Sequence, residues 1–282
     1  MSMSIEYKTR GELQALRQAG LILARALEST ATAVRPGITT AELDAVAAQV
    51  ISDAGATSNF LGYHGFPATL CISVNDEVVH GIPGSRVLEQ GDLVSIDGGC
   101  IKEGWHADAA ISLHVGEPPR DEDQALAEVD LINAAWRSLW AGVAAAAGAT
   151  RLGDISAAIE GSIAESARAD GRRYGNVDGY GGHGIGTEMH MDPFLANVGK
   201  KGKGAKVAAG MALCIEPMLT LGKSSTRILA DDWTVVTKDG TRAAHVEHSI
   251  AICEDGISVL TAPDRGRAEL APFGITPVDL ES

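Results

Sequence analysis

The sequence predicts an α+β fold built by internal duplication, and three observations predict it. Two helical segments followed by strand-like segments occupy the first half, and the same plan recurs in the second. Gln90-Gly91-Asp92-Leu93-Val94-Ser95-Ile96-Asp97 is echoed by Ala209-Gly210-Met211-Ala212-Leu213-Cys214-Ile215-Glu216, each with a Gly ahead of an apolar run and a carboxylate six residues after that Gly. Four carboxylates and one imidazole, Asp97, Asp108, His183, Glu216 and Glu247, stand in strand-like or Gly-rich settings of both halves. A pseudo-two-fold relation between halves of about 10–118 and 121–260 would bring them to one centre. Residues 1–282 read as a single domain, with 262–282 a tail that wraps the surface or stays mobile.

The elements follow in order. Thr9 to Val34 carries apolar residues at helical spacing (Leu13, Leu16, Ile22, Leu23, Leu27) and stops at Pro36-Gly37. Thr39-Thr40-Ala41-Glu42 is a capping box that opens a second helix, with Gly55 at its end. Strands are expected at Leu70–Val74, Asp92–Asp97 and Trp105–Val115. In the second half, helices are expected over Asp121–Gly148 and Thr150–Gly171. Strands follow near Ala212–Met218, Trp233–Thr237, His245–Cys253 and Ile257–Leu260. Gly199 to Lys206, a basic Gly-rich run, reads as a solvated hairpin tip.

Composition narrows the function classes. The 23 basic and 37 acidic residues give a net charge of −14, which argues against DNA or an anionic membrane surface as a general partner. Cys71, Cys100, Cys214 and Cys253 form no CxxC pair, so neither a disulfide framework nor a zinc ribbon is expected. Met1 to Arg10 lacks a signal-peptide pattern, and the Ala-rich stretch at Trp140 to Ala149 is too short to span a bilayer. A soluble, cytoplasmic protein is the expectation.

The five ligand-type residues carry the chemistry. Asp97 ends the run Leu93-Val94-Ser95-Ile96, and Asp108 lies in the next extended stretch. The midpoint of 97 and 108 falls at 102.5, inside Lys102-Glu103-Gly104. A tight hairpin there would set the two carboxylates directly opposite, with Cβ atoms roughly 4.5–5.5 Å apart, where like charges destabilise a sheet unless a cation lies between them. Asp and Glu are rarely buried unless paired. Oxygen-rich ligation with one imidazole suits a dinuclear hydrolytic site rather than a structural zinc. Gly179 to Gly186 formally contains GxGxxG, but no strong strand precedes it, no helix follows, and the acidic residue about 20 positions on is missing. Its glycines instead allow the backbone to pass close to a ligand while His183 reaches a metal. His80 and His190 sit in loops suited to hydrogen-bonding a substrate. His64, His106, His114, His245 and His248 read as structural residues or as supports behind the ligands.

These stretches resemble the type I methionine aminopeptidases of bacteria, over roughly residues 10–255. The matching segments are Gly62-Tyr63-His64-Gly65-Phe66-Pro67, Cys71-Ile72-Ser73-Val74-Asn75, His80-Gly81-Ile82-Pro83, Asp97 with Asp108, Gly182-His183-Gly184-Ile185-Gly186 with His190, Ile215-Glu216-Pro217-Met218, and Glu247-His248. The resemblance implies the duplicated pita-bread fold and one catalytic domain. It implies two divalent ions (Co, Mn, Fe, Zn or Ni) held by Asp97, Asp108, His183, Glu216 and Glu247, with Asp108 and Glu247 bridging. It also implies His80 near the scissile amide nitrogen, His190 on the carbonyl oxygen, Glu216 as proton shuttle, and Tyr63, Phe66, Cys71, Met189 and Trp233 around the methionine side chain. Phe60, Phe66 and Met189 depart from the residues frequent at those positions, which changes the size of an apolar pocket without making it polar. The implied activity is metal-dependent removal of N-terminal methionine before a small residue (Ala, Gly, Ser, Thr, Cys, Pro or Val). The expected substrates are peptides and nascent chains near the ribosome, and the enzyme is expected to be a monomer. A proline-specific aminopeptidase or prolidase on the same fold is the rival. Such enzymes usually carry a large N-terminal domain, whereas this chain enters its catalytic half almost at once. A binding protein that kept the fold should have lost ligands.

Overall fold

The computed structural model describes residues 5–281; Met1 to Ser4, part of the N-terminal stretch read above, and Ser282 fall outside it. Four long helices form where periodicity and caps predict them. α1 (Arg10–Ala33) starts at a Thr9–Glu12 capping box, and α2 (Thr40–Asp53) at the expected Thr39–Glu42 box, closed by a 2.8 Å bond from the Thr39 amide to Glu42. α3 (Glu122–Ala146) is capped by Asp121, and α4 (Leu152–Ala169) follows it.

One antiparallel sheet organises the chain. Its order runs Thr57–Ser58, Leu93–Lys102, Trp105–His114, Glu247–Cys253, Ala212–Ile215, Gly181–Gly184, Met191–Ala196, with Leu70–Val74 also on Leu93–Lys102 and Gly256–Val259 also on Glu247–Cys253. The duplication is visible in this order. The two central strands, Trp105–His114 and Glu247–Cys253, come from different halves and pair with each other, and each is flanked by the strand of its own half that takes part in the sequence echo. Gly91 and Gly210, the paired glycines of that echo, both adopt left-handed backbone, at φ 82° and 88°.

Strand alternation decides which face each residue takes. Val94, Ile96, Cys100, Ala107 and Ala109 turn toward α1 and α2 and build one core; Leu213, Ile215, Ile250 and Ile252 turn toward α3 and α4 and build a second. Asp97, Asp108, Glu216 and Glu247 have the opposite parity. They enter neither of these cores and line one cavity instead, while Ala212, Cys214 and Ala251, of the same parity on their strands, pack on Leu13 and Leu16 of α1.

Three expectations are corrected. The hairpin turn is Glu103-Gly104, with Lys102 paired to Trp105 and both turn residues at positive φ (52° and 83°), a two-residue turn of the kind that matches strand twist. Asp97 therefore faces Ala110, and Asp108 faces Gly99. The carboxylates are diagonal neighbours on one face rather than directly opposed, and Asp97 sits mid-strand rather than at a strand end. The strands expected at Ala212–Met218 and His245–Cys253 are each broken, at Glu216-Pro217 and at Val246; Pro217 has no amide to donate to a ladder. Residues 199–206 are not a hairpin tip, because Gly181–Gly184 lies between the strands they connect. They dock on the start of α4 through bonds from the Gly153 amide to the Lys203 carbonyl (2.9 Å) and from the Gly202 amide to Asp154 (2.7 Å). Of the two alternatives for the C-terminal stretch, wrapping is the one seen, with Val278 and Leu280 buried in one cluster with Leu13 and Leu16 of α1.

Candidate metal centre and active site

Each ligand-type residue is aimed by a local feature. Asp97 and Asp108 share the hairpin. Asp108 is fixed by Ser249 of the neighbouring central strand, whose hydroxyl accepts from the Asp108 amide at 3.1 Å and donates to its carbonyl at 2.7 Å. Glu247 pairs with Ala110 and so stands beside Asp108. Glu216 sits at the kink before Pro217, its carbonyl accepting from Asn197 at 3.0 Å. His183 is carried on Gly181–Gly184, which approaches Ala212–Ile215 so closely that a Cβ on Gly182 would lie 2.0 Å from the Cys214 carbonyl oxygen. Gly182 is the sequence's means of bringing this imidazole in.

The five converge. Asp97, Asp108 and Glu247 place ligand atoms within 4.8 Å of one another; so do Asp108, His183 and His190, and so do Glu216, His245 and Glu247. His183 Nε2 lies 3.6 Å from Glu216 Oε1. Its Nδ1 meets the Gly184 carbonyl at 2.9 Å, the second contact that holds a ligating histidine's ring in place. Asp108, Glu247 and His183 each belong to more than one such group, His183 also lying within this distance of Cys214 and Glu247.

Electrostatics make the same point. Burial pushes the Asp97 carboxyl up to about 7, and burial together with neighbouring carboxylates pushes Asp108 and Glu247 well above their ordinary range, with Glu216 raised likewise. Asp97 Oδ1, Asp108 Oδ1 and Glu247 Oε1 are buried with no hydrogen-bond partner. Four adjacent buried carboxylates, three of them with an orphaned oxygen, are costly as ions and well suited to divalent cations. Burial lowers His183 to about 4, keeping it the neutral imidazole a metal needs.

A stability prediction follows for the metal-free protein. Carboxyls raised in the folded state bind protons that the unfolded chain releases above about pH 4, so they remove stability as pH rises through their folded values. Below about pH 6.5 the buried histidines oppose this trend, because the unfolded chain takes up protons that the folded state refuses. Above that pH the histidines are neutral in both states, and up to about pH 8, below the range in which the buried thiols begin to contribute, the carboxyls dominate. The thermal midpoint of metal-free protein should fall between about pH 6.5 and 8, and metal loading should flatten the slope. A flat metal-free profile would mean that the carboxyls are not held raised.

Above the centre lies a cavity of about 720 Å³ lined by Tyr63, Phe66, Cys71, Met189 and Trp233 together with His80, His190 and the five ligand-type residues. Phe60, Phe66, Cys71 and Met189 form one buried apolar cluster, closed by Tyr63 and Trp233, with the Phe66 and Trp233 rings edge-on at 5.0 Å. His80 stands on a loop in left-handed conformation (φ 61°), between the rings of Tyr180 and Trp233. His190 Nδ1 is 2.9 Å from the Tyr63 hydroxyl, and its ring lies edge-on to His183 at 4.4 Å. Two residues read only as structural or supporting also line this cavity, His64 and His245. For His245 the signal was present, since it stands two positions before Glu247 in an extended stretch and so shares its side. A larger cavity, about 1220 Å³ between α3 and α4, is reached by none of the five ligand-type residues.

Carboxylates and a neutral imidazole gathered beneath an apolar, peptide-sized cavity are the equipment of a metal-dependent hydrolase. Residues 14–254 match metallopeptidase family M24, and the chain belongs to that family. It is 50% identical over 258 residues to methionine aminopeptidase 1 of Mycobacterium tuberculosis (strain CDC 1551 / Oshkosh), spanning 91% of this chain and 95% of that protein. The crystal structure of methionine aminopeptidase from Rickettsia prowazekii superimposes with a TM-score of 0.85 at 32% identity, over 92% of this chain and 100% of that one. The prolidase of Pyrococcus furiosus, at 22% identity and a TM-score of 0.68 over 91% of this chain and 65% of that chain, shares the fold alone. The architecture is the pita-bread fold, and the protein is an enzyme, a hydrolase of the metallopeptidase class.

Proposed function

We propose that this enzyme removes methionine from the N-terminus of peptides and newly made proteins whose second residue is small, using two divalent ions. The observation that carries this is the placement of the ligand cluster directly beneath an apolar, sulfur-compatible pocket of Tyr63, Phe66, Cys71, Met189 and Trp233. The residues present fit the metals: Asp97, Asp108, His183, Glu216 and Glu247 would hold them, with Asp108 and Glu247 shared. Bound there, divalent ions of this class supply Lewis acidity and lower the pKa of water towards about 7.

The protein's own groups do the rest. The first side chain enters the apolar pocket and is shielded from water. His190 accepts the Tyr63 hydroxyl proton in a hydrogen bond at Nδ1, which leaves Nε2–H to donate to the carbonyl oxygen as negative charge develops there. Glu216 takes the proton released as the carbonyl is attacked and delivers it to the departing amide nitrogen, with His80 beside that nitrogen. The second residue must pass close to the Tyr180–His183 backbone, so a long side chain displaces the carbonyl, and ~1 Å of misplacement can cost about 10²-fold. We place the enzyme in the cytoplasm as a monomer acting on nascent chains near the ribosome. No helix among the described residues is long and apolar enough to cross a membrane, which is compatible with that compartment.

The test is a peptide panel varying the first two residues at fixed metal concentration. Met-Ala, Met-Gly and Met-Ser peptides should be cleaved at least about 10²-fold faster than Met-Leu or Met-Arg. Preference for Xaa-Pro peptides would move the enzyme to the proline-specific branch, and inactivity with every divalent metal would support a binding role.

A further inference from the structure

We infer that His245 is itself a metal ligand, which together with Glu216 and Glu247 gives the centre a second imidazole opposite His183. The inference rests on the metallopeptidase reading of the centre and goes beyond its five ligand-type residues.

The chain brings His245 there by construction. Strand Ala243–His245 ends one residue before Glu247–Cys253 begins, so His245 and Glu247, two apart in extended chain, point to the same side. Val246 between them is fully buried in the α3–α4 core. The backbone of His245 is held at both ends. Its amide donates to Ser112 at 3.0 Å, and its carbonyl accepts from the Ser112 hydroxyl at 2.7 Å; Met218 is its partner on the neighbouring strand. The ring's position is therefore set by the fold.

The ring finds no partner there. His245 is 2% exposed, and both its nitrogens are buried without a hydrogen bond, the only side chain among the described residues with two orphaned nitrogens. Buried imidazoles ordinarily bond through at least one nitrogen. Nε2 lies 3.8 Å from Glu216 Oε2 and 3.9 Å from Glu247 Oε2. Those distances are too long for hydrogen bonds, but they suit atoms sharing one ion through bonds of about 2.0–2.2 Å. Glu216 thus presents Oε1 to His183 and Oε2 to His245. A nitrogen added to an oxygen-rich set shifts preference towards zinc, iron or nickel and away from manganese.

X-ray absorption on zinc-loaded wild type, His245→Ala and His245→Gln, with metal content measured in parallel, tests this without substrate. Removing His245 should delete one imidazole per chain from the zinc shell. It should also weaken zinc by at least about 10- to 100-fold, the cost of losing even an outer partner, and weaken manganese less. An unchanged imidazole count overturns the proposal, whatever happens to affinity, because His245 would then only position the carboxylates. Circular dichroism checks folding of both variants, and the glutamine keeps a polar side chain of similar reach if the alanine fails to fold. The measurement stands apart from the peptide panel, so failure of one does not imply failure of the other.

Discussion

Replacing Asp108 with alanine should abolish hydrolysis and leave the protein unable to hold two ions at once. Asp108 is the carboxylate on which the cluster turns. It shares ligand distance with Asp97 and Glu247 on one side and with His183 and His190 on the other. No neighbour can take its place, because the position facing it across the hairpin is Gly99, where a Cβ would lie 2.5 Å from Asn59 Nδ2. The substitution should not unfold the chain. The Asp108 backbone is bonded to Ser249 through both its amide and its carbonyl, and the lost carboxylate carries an orphaned oxygen. Metal-free Asp108→Ala should accordingly melt no lower than metal-free wild type, since a buried acid without a partner is a cost. Activity within tenfold of wild type with both ions retained would refute the bridging role.

Much of this was legible in the sequence, because the signals were local or periodic. The capping box at Thr39, the apolar spacing of α1 and the Gly91/Gly210 echo each depend on a few adjacent residues and survive into the structure unchanged. Long-range geometry was less legible. Whether Asp97 faces Asp108 depends on a shift in the centre of the turn by a single residue, and Glu103 adopting positive φ is what moves it. The strands at Gly181–Gly184 and Met191–Ala196 were hidden because glycines carry no periodicity; they form because Gly182 fits where any side chain would strike the Cys214 carbonyl. The Lys200–Lys206 run looked like a solvent-exposed tip because its lysines are exposed, while its backbone is what docks on α4. The five ligand-type residues could be picked out because polar residues in apolar strands need a reason. His245 met the same criterion, and Ala243-Ala244 before it and Val246 after it already marked a buried strand.

His190→Ala should lower kcat by roughly 10²–10³ while leaving KM within a few-fold, the cost found when one donor to a developing oxyanion is removed. His190 is exposed at the mouth of the cavity and is not among the five ligand-type residues, so its loss leaves the carboxylate cluster and the apolar pocket intact. What disappears is one N–H placed where charge grows only as the carbonyl is attacked, and an interaction that strengthens in the transition state appears in kcat rather than in KM. Tyr63 supplies an internal control. Its hydroxyl, 2.9 Å from His190 Nδ1, orients the ring and, when it donates there, keeps the proton on Nε2, so Tyr63→Phe removes the orientation but keeps the donor. One lost hydrogen bond is worth about 0.5–1.5 kcal/mol, so Tyr63→Phe should cost at most about tenfold in kcat and far less than His190→Ala. In the double variant the Tyr63 effect should vanish, because there is no ring left to orient. If His190→Ala raised KM and spared kcat, the histidine would be holding the ground state. If the two substitutions were instead additive, Tyr63 would be acting on the methionine pocket rather than through the imidazole.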